Sequence, residues 1–209
     1  MDNFLSTVAA IRELLNSRER DEHKLGVLAR SLRWRNAFEA ANLAMLLDLG
    51  ELARRKKGPG YWEVERAVME ILCERAEVEH VAFLVQTFHH KARGPHGDDR
   101  RRLALQALSG VAARTGNQEA LLVLAEGLAH IKKDTRGWTI GFLVECYRYL
   151  DRPLPETVVE RLRFLAQNDV SADVRVEAVT VLASLGLAEE TALAAVMAMA
   201  QQQMVDSRR

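Results

Sequence analysis

Apolar residues recur along this chain every three or four positions, in about eleven blocks separated by short polar gaps. The first block is Phe4, Val8, Ile11 and Leu15, whose spacing marks one face of an amphipathic helix. A polar stretch from Asn16 to Asp21 follows. Leu25, Leu28 and Leu32 predict a second helix, with Trp34-Arg35-Asn36 as the break after it. Phe38, Ala41, Met45, Leu49 and Leu52 predict a third. From Tyr61 onward the blocks are regular and predict helices over 61–75, 78–91, 99–115, 118–131, 134–150, 155–167, 171–185 and 188–203. Pro59, Pro95, Pro153 and Pro155 all fall between apolar-periodic segments, so none breaks a helix. Asp98 and Asp99 are placed to cap the sixth helix, and Gly116 to end it in the left-handed conformation.

The blocks also repeat one another. Asp99-Arg100-Arg101, Asp134-Thr135-Arg136 and Asp173-Val174-Arg175 are three versions of one helix start, 35 and 39 residues apart. Five residues beyond each Asp stands a short side chain (Ala104, Thr139, Ala178), and nine beyond stands Leu108, Leu143 or Leu182. Ala67 and Ile71 fill the same two columns in the helix after Pro59. The turn repeats as well, since Gly58-Pro59-Gly60 matches Gly94-Pro95-His96-Gly97 with the prolines 36 residues apart. A period in the mid-thirties is the signature of a solenoid built from one supersecondary unit. The expected fold is therefore an all-α, α-α superhelix of roughly five helical pairs. Residues 1–57 would form divergent N-terminal helices, 58–187 the regular repeats, and 188–209 a cap helix and tail, all in one domain.

Leu165, Asp169 and Arg175, followed by Ala178, Leu182, Leu185 and Gly186, resemble the HEAT repeat. That resemblance implies that Asp169 sits in the turn between the two helices of a repeat, helices A and B. It also implies that Arg175 lies on helix B, and that the small and Leu columns line the contact between repeats. Asp99/Arg101 and Asp134/Arg136 resemble the turn-proximal part of the pattern, with Pro95 and His130 where the upstream Asp would stand. The resemblance covers residues 61–185 and implies fold far more than function. Its register pairs the helices one with two, three with four, and so on, leaving the eleventh as an unpaired cap.

Composition changes this picture little. The 48% hydrophobic fraction is carried by Ala, Leu and Val, with 6% aromatics, a helical balance. Lys+Arg and Asp+Glu are both 29, which argues against general nucleic-acid binding without fixing how charge is distributed. Cys73 and Cys146 read as reduced core residues of a cytoplasmic protein. No signal pattern stands at the N-terminus and no segment is long enough to span a bilayer, so no membrane role is expected. His89, His90 and His96 near Asp98 and Asp99 read as a polar helix end, since adjacent histidines diverge around a helix. No nucleophile elbow, phosphate loop, dinucleotide fingerprint or zinc-protease motif is present. No cofactor or metal and no enzymatic activity are expected. HEAT-like DNA glycosylases that excise alkylated bases present Trp, Asp and Arg on a concave face. Here Trp34, Trp62 and Trp138 occur, with Asp134 and Arg136 beside the last. Trp62 and Trp138 start equivalent helices, so the plainer expectation is that they fill gaps between repeats.

Charge arrangement is the strongest functional signal. Turns of one type stack along one edge of a solenoid. The A-to-B turns would gather Arg54, Arg55, Lys56 and Lys57; then Lys91, Arg93, Arg100, Arg101 and Arg102; then Lys132, Lys133 and Arg136. Cations at a helix C-terminus follow from the dipole, but Arg100-Arg101-Arg102 stand in a first turn, where they oppose it. At the other end of the chain, residues 192–200 read ALAAVMAMA, without a polar face. Ala194, Ala195, Ala198 and Met199 there suit a surface for a partner helix or for a second copy in a homodimer. The expected function is a non-catalytic scaffold or adaptor for a protein partner. The alternative is nucleic acid or another polyanion bound along the basic edge.

Overall fold

Ten α-helices account for almost all of the described residues of this protein, and no strand occurs among them. The structure is a computed structural model and describes residues 2–17, 21–33, 40–56, 58–90 and 95–187. The helices are α1 (Asp2–Asn16), α2 (Glu22–Arg33), α3 (Ala40–Arg54), α4 (Pro59–Arg75), α5 (Val81–His89, entered through a 3-10 turn at Val78–His80), α6 (Pro95–Thr115), α7 (Gln118–Gly127), α8 (Lys133–Tyr149), α9 (Glu156–Asn168) and α10 (Ala172–Ser184). The eleventh predicted helix, with Ala194, Ala195, Ala198 and Met199, lies outside the described residues, as do Trp34, Lys57, Lys91 and Arg93.

Local signals explain where the helices begin and end. Asn117 caps α7 by accepting a hydrogen bond from the Ala120 N–H at 3.0 Å. Gly116, at φ 68°, closes α6 in the left-handed conformation as its sequence predicts. The repeated Gly-Pro motif corrects one expectation. Both copies open helices: Pro59 and Pro95 are the first residues of α4 and α6, where proline's fixed φ and missing N–H cost nothing. Asp98 is thus a first-turn residue of α6 and not its cap. Gly60 is needed inside α4 for a different reason. A Cβ there would collide with the backbone of Glu22, so only glycine lets α4 approach the start of α2 this closely.

The chain forms two compact units, divided after Ala107 within α6. In the first, α1 packs on α2 and α3, and α4 packs on α2 and α3. The core there includes Ile11, Leu15, Leu25, Leu32, Leu46, Leu49, Met69 and Leu72, all fully buried. The stripe of α1 is buried as predicted. That of α3 is buried only in part: Leu49 is inside as predicted, but Leu43, Leu46 and Ala53 are buried while the predicted Met45 and Leu52 are only partly so. Apolar residues surround this helix, and packing against both α1 and α4 decides which of them go inside.

In the second unit α7 packs on α8, α9 on α10, and α8 on α10. Helix α7 stops at Gly127, four residues short of its predicted end. There the N–H groups of Leu128, Ala129 and His130 turn back three residues to the Ala125, Glu126 and Gly127 carbonyls, and the loop beyond is held by Arg136. Its guanidinium donates to the His130 and Ile131 oxygens at 2.8 and 2.9 Å.

The two repeating columns are buried in every copy. Ala67, Ala104, Thr139 and Ala178 are 0% exposed, and Ile71, Leu108, Leu143 and Leu182 at most 7%. Small residues in the first column let a neighbouring helix come close. Ala178→Leu is expected to overpack that contact and cost about 1–3 kcal/mol. A urea titration of the variant against wild type checks this, and unchanged stability would deny that the column is a packing constraint.

Candidate functional site

Of the cations expected to form a basic edge, Arg54, Arg100 and Arg136 are held inside the fold. Glu65, on α4, is buried among Val64, Ala67 and Val68 and is 1% exposed. It accepts from Arg54 Nε at 3.1 Å and from Arg100, whose Nε lies 2.7 Å away and whose second nitrogen binds the other carboxylate oxygen. Arg54 also donates to Thr87 Oγ1 at 2.7 Å and lies over the Phe83 ring. Arg100 lies over Trp62, and Trp62 stacks on His96 at 4.9 Å. Because α6 begins at Pro95, Arg100 stands in its second turn and not in the first turn that the sequence predicts, and its charge is paired with Glu65.

The remaining cations divide between internal contacts and solvent. Arg136 grips Asp169 with two parallel bonds of 2.6 and 2.7 Å, and its side chain is 8% exposed. Arg101 pairs with Asp98 at 2.9 Å. Lys56 donates to the Leu15 carbonyl and lies over Tyr61. Arg102 reaches Gln106 at 3.4 Å. Arg55 is exposed, with a loose contact to Glu51 at 3.6 Å, a kind of pair that contributes little. Lys132 is exposed as well. The guanidinia of Arg54, Arg100 and Arg136 are thus each engaged by a buried carboxylate.

Asp169 holds the second of these ion pairs from the loop before α10. Burial pushes its carboxyl up, but hydrogen bonds from Arg136 and the Ser171 N–H, with the charges of Arg136 and Arg175, outweigh that. Its pKa therefore lies below the ordinary carboxylate range. Arg175 adds a bond to the Asp169 carbonyl at 2.5 Å.

An open groove of about 410 Å³ lies between α8 and α10. The α8 side presents Asp134, Gly137, Trp138, Gly141, Phe142 and Glu145, a run spaced by about one turn so that it follows one helical face. The α10 side presents Asp173, Val174 and Glu177, with Ser171 at its cap and Lys133 opposite. Four carboxylates thus face one amine. Lys133 reaches Asp173 at 3.5 Å. Among the described residues nothing pairs with Asp134, Glu145 or Glu177. Desolvation at the groove wall pushes the Glu177 carboxyl up. Trp138 is half-buried and lines this open groove, so it does not repeat the buried setting of Trp62.

Two glycines one turn apart in mid-helix were the available signal for this groove. A Cβ on Gly137 would sit 3.4 Å from Glu177 Oε2 and one on Gly141 3.9 Å from Oε1, so packing does not exclude alanine at either position. Gly127 in α7 is different, since a Cβ there would run into Thr139.

No family model, curated protein or solved structure matches this chain. The chemistry available elsewhere is limited. Burial pushes the Cys73 thiol up to about 12 and Cys146 to about 11, so both are protonated thiols at neutral pH. Burial, and then the charges of Arg100 and Arg54, hold His90 below the ordinary imidazole range. Among the described residues no group of three or more His, Cys, Asp or Glu side chains is gathered for a metal ion. None of the described helices is long and apolar enough to cross a membrane.

Proposed function

We propose that this protein is a non-catalytic, cytoplasmic scaffold or adaptor. In this reading it is a HEAT-like array of helical hairpins that binds a protein partner through the exposed faces of its second helices. Three features support the array. Sequential helices pack as pairs in α1–α2, α3–α4, α7–α8 and α9–α10. Alternate helices pack on one another in α1–α3, α2–α4 and α8–α10. The small and Leu columns are buried at each recurrence. The two unpaired cysteines fit a reducing compartment.

The observation that supports binding is the α8–α10 groove. It is open along two helices, has aromatic and aliphatic surface beside unpaired carboxylates, and suits a chain segment better than an enclosed small molecule. In the competing reading a polyanion binds the cations that remain at the surface, such as Arg55 and Lys132; the internal use of Arg54, Arg100 and Arg136 weakens it.

Selection from a random peptide library, unbiased in charge, tests the proposal. Peptides enriched on wild-type protein are expected to bind Gly141→Trp about tenfold more weakly or worse, since the new ring fills the groove. Enriched peptides indifferent to Gly141→Trp would remove the groove from the proposal. Firm retention on heparin, without peptide binding, would favour the polyanion reading.

A further inference from the structure

The geometry points to a specific occupant for the α8–α10 groove: an arginine side chain on a basic segment of the partner, paired with Glu177 beside Gly137 and Gly141. This rests on the proposal that the groove is a binding surface and adds the chemistry of what it binds.

Three independent features converge on it. The first is charge. Asp134, Glu145, Asp173 and Glu177 face only Lys133, and among the described residues three of the four have no partner. Such an excess along one exposed groove attracts a cation and repels an acidic segment.

The second is the floor. Glycine inside a helix costs about 1 kcal/mol relative to alanine, and α8 has two glycines here where a Cβ would meet nothing closer than 3.4 Å. Packing does not demand them, and the space above them is where the Glu177 carboxylate lies. Both positions lie under the two oxygens of one carboxylate, Glu177. A planar group entering the groove beside the glycines can donate to both oxygens of that carboxylate.

The third is the pair of aromatic side chains, Trp138 and Phe142, which line the same groove and remain partly exposed. Arginine is the side chain that uses all three features. Its guanidinium pairs with a carboxylate through two parallel bonds and stacks on an aromatic face, while a lysine ammonium does only part of this. The same chain already prefers this pairing internally, in Arg100–Glu65 and Arg136–Asp169. At about 410 Å³ the groove is larger than one side chain, so a segment of several residues is accommodated.

The test uses the full chain, labelled with nitrogen-15, and a set of eight-residue peptides. One contains two arginines, a second replaces them with citrulline, which has the same shape without the charge, and a third replaces them with glutamate. The Trp138 indole N–H is identified as the resonance lost in Trp138→Phe. Titration with the arginine peptide is expected to shift that resonance and the Gly137 and Gly141 amides saturably. Glu177→Gln is expected to weaken binding about tenfold or more, as loss of a charge-assisted pair does, and Glu145→Gln in a separate chain provides a second check.

Equal binding of the citrulline or glutamate peptide would overturn the inference while leaving the groove a protein-binding surface. Arginine-peptide binding indifferent to both Glu177→Gln and Glu145→Gln would overturn it as well. If no peptide of any class moves these resonances at millimolar concentration, the groove itself falls as a binding surface.

Discussion

Replacing Glu65 by alanine is expected to be among the most damaging single changes in this protein. One carboxylate, 1% exposed, serves two guanidinia from helices that approach α4 from different parts of the first unit. Its removal leaves Arg54 with Thr87 and the Phe83 face, and leaves Arg100 with the Trp62 face alone. Breaking a buried ion pair from one side costs about 3–5 kcal/mol because the other charge stays desolvated. For a chain of this size that corresponds to a fall of roughly 6–20 °C in melting temperature.

Circular dichroism melts would measure the loss. A second chain decides its cause: Glu65→Leu combined with Arg54→Met and Arg100→Met removes all three charges and keeps the volume. It is expected to recover most of the stability, as apolar replacements of buried ion pairs often do. If Glu65→Ala melts like wild type, the ion pairs do not hold α3, α4 and α6 together.

The second large effect is at Asp169, and it has a pH signature. Its carboxyl is more acidic in the folded chain than in the unfolded one. The unfolded state therefore binds the proton first as pH falls, and stability from the Arg136 pair is present above the ordinary carboxylate pKa of about 4. That stability is lost as pH falls further, through the lowered folded value. Asp169→Asn keeps the shape and removes the charge. At pH 7 it is expected to cost about 3 kcal/mol, at the low end because Arg136 retains the His130 and Ile131 carbonyls. Below about pH 4 the gap between wild type and variant is expected to narrow as the unfolded chain takes up the proton, and to close as pH falls through the lowered folded value of Asp169. Urea titrations at pH 7 and pH 3 check this. A gap that is the same at both pH values would mean that Asp169 acts through its hydrogen bonds alone.

Which parts were legible follows from how far each interaction reaches. Ten helices are readable because apolar spacing, proline and glycine act within a few residues of themselves. Phe4, Val8, Ile11 and Leu15 need only their own spacing to declare a buried stripe, and all four are buried. Leu43 and Leu46 could not be chosen over Met45 and Leu52, because α3 is apolar on several sides and its neighbours select the inner face. The same limit explains the basic turns. Arg100 and Arg136 look like surface charges in sequence, but their carboxylates lie 35 and 33 residues away. Glu65 between Val64 and Val68 was the visible hint, a lone acid on an otherwise apolar face. In α8, Gly137 and Gly141 were equally visible, but only the position of Glu177 gives their spacing a meaning.

By itself the sequence determined that this protein is helical, where most helices lie, and that one small-and-leucine pattern recurs in its core. Those properties come from backbone preference and from burial at fixed local spacing. Tertiary structure alone decided which arginines are neutralised inside and which carboxylates are left facing a groove. A charge's role depends on the nearest opposite charge and on the water around it, and folding brings both from distant parts of the chain.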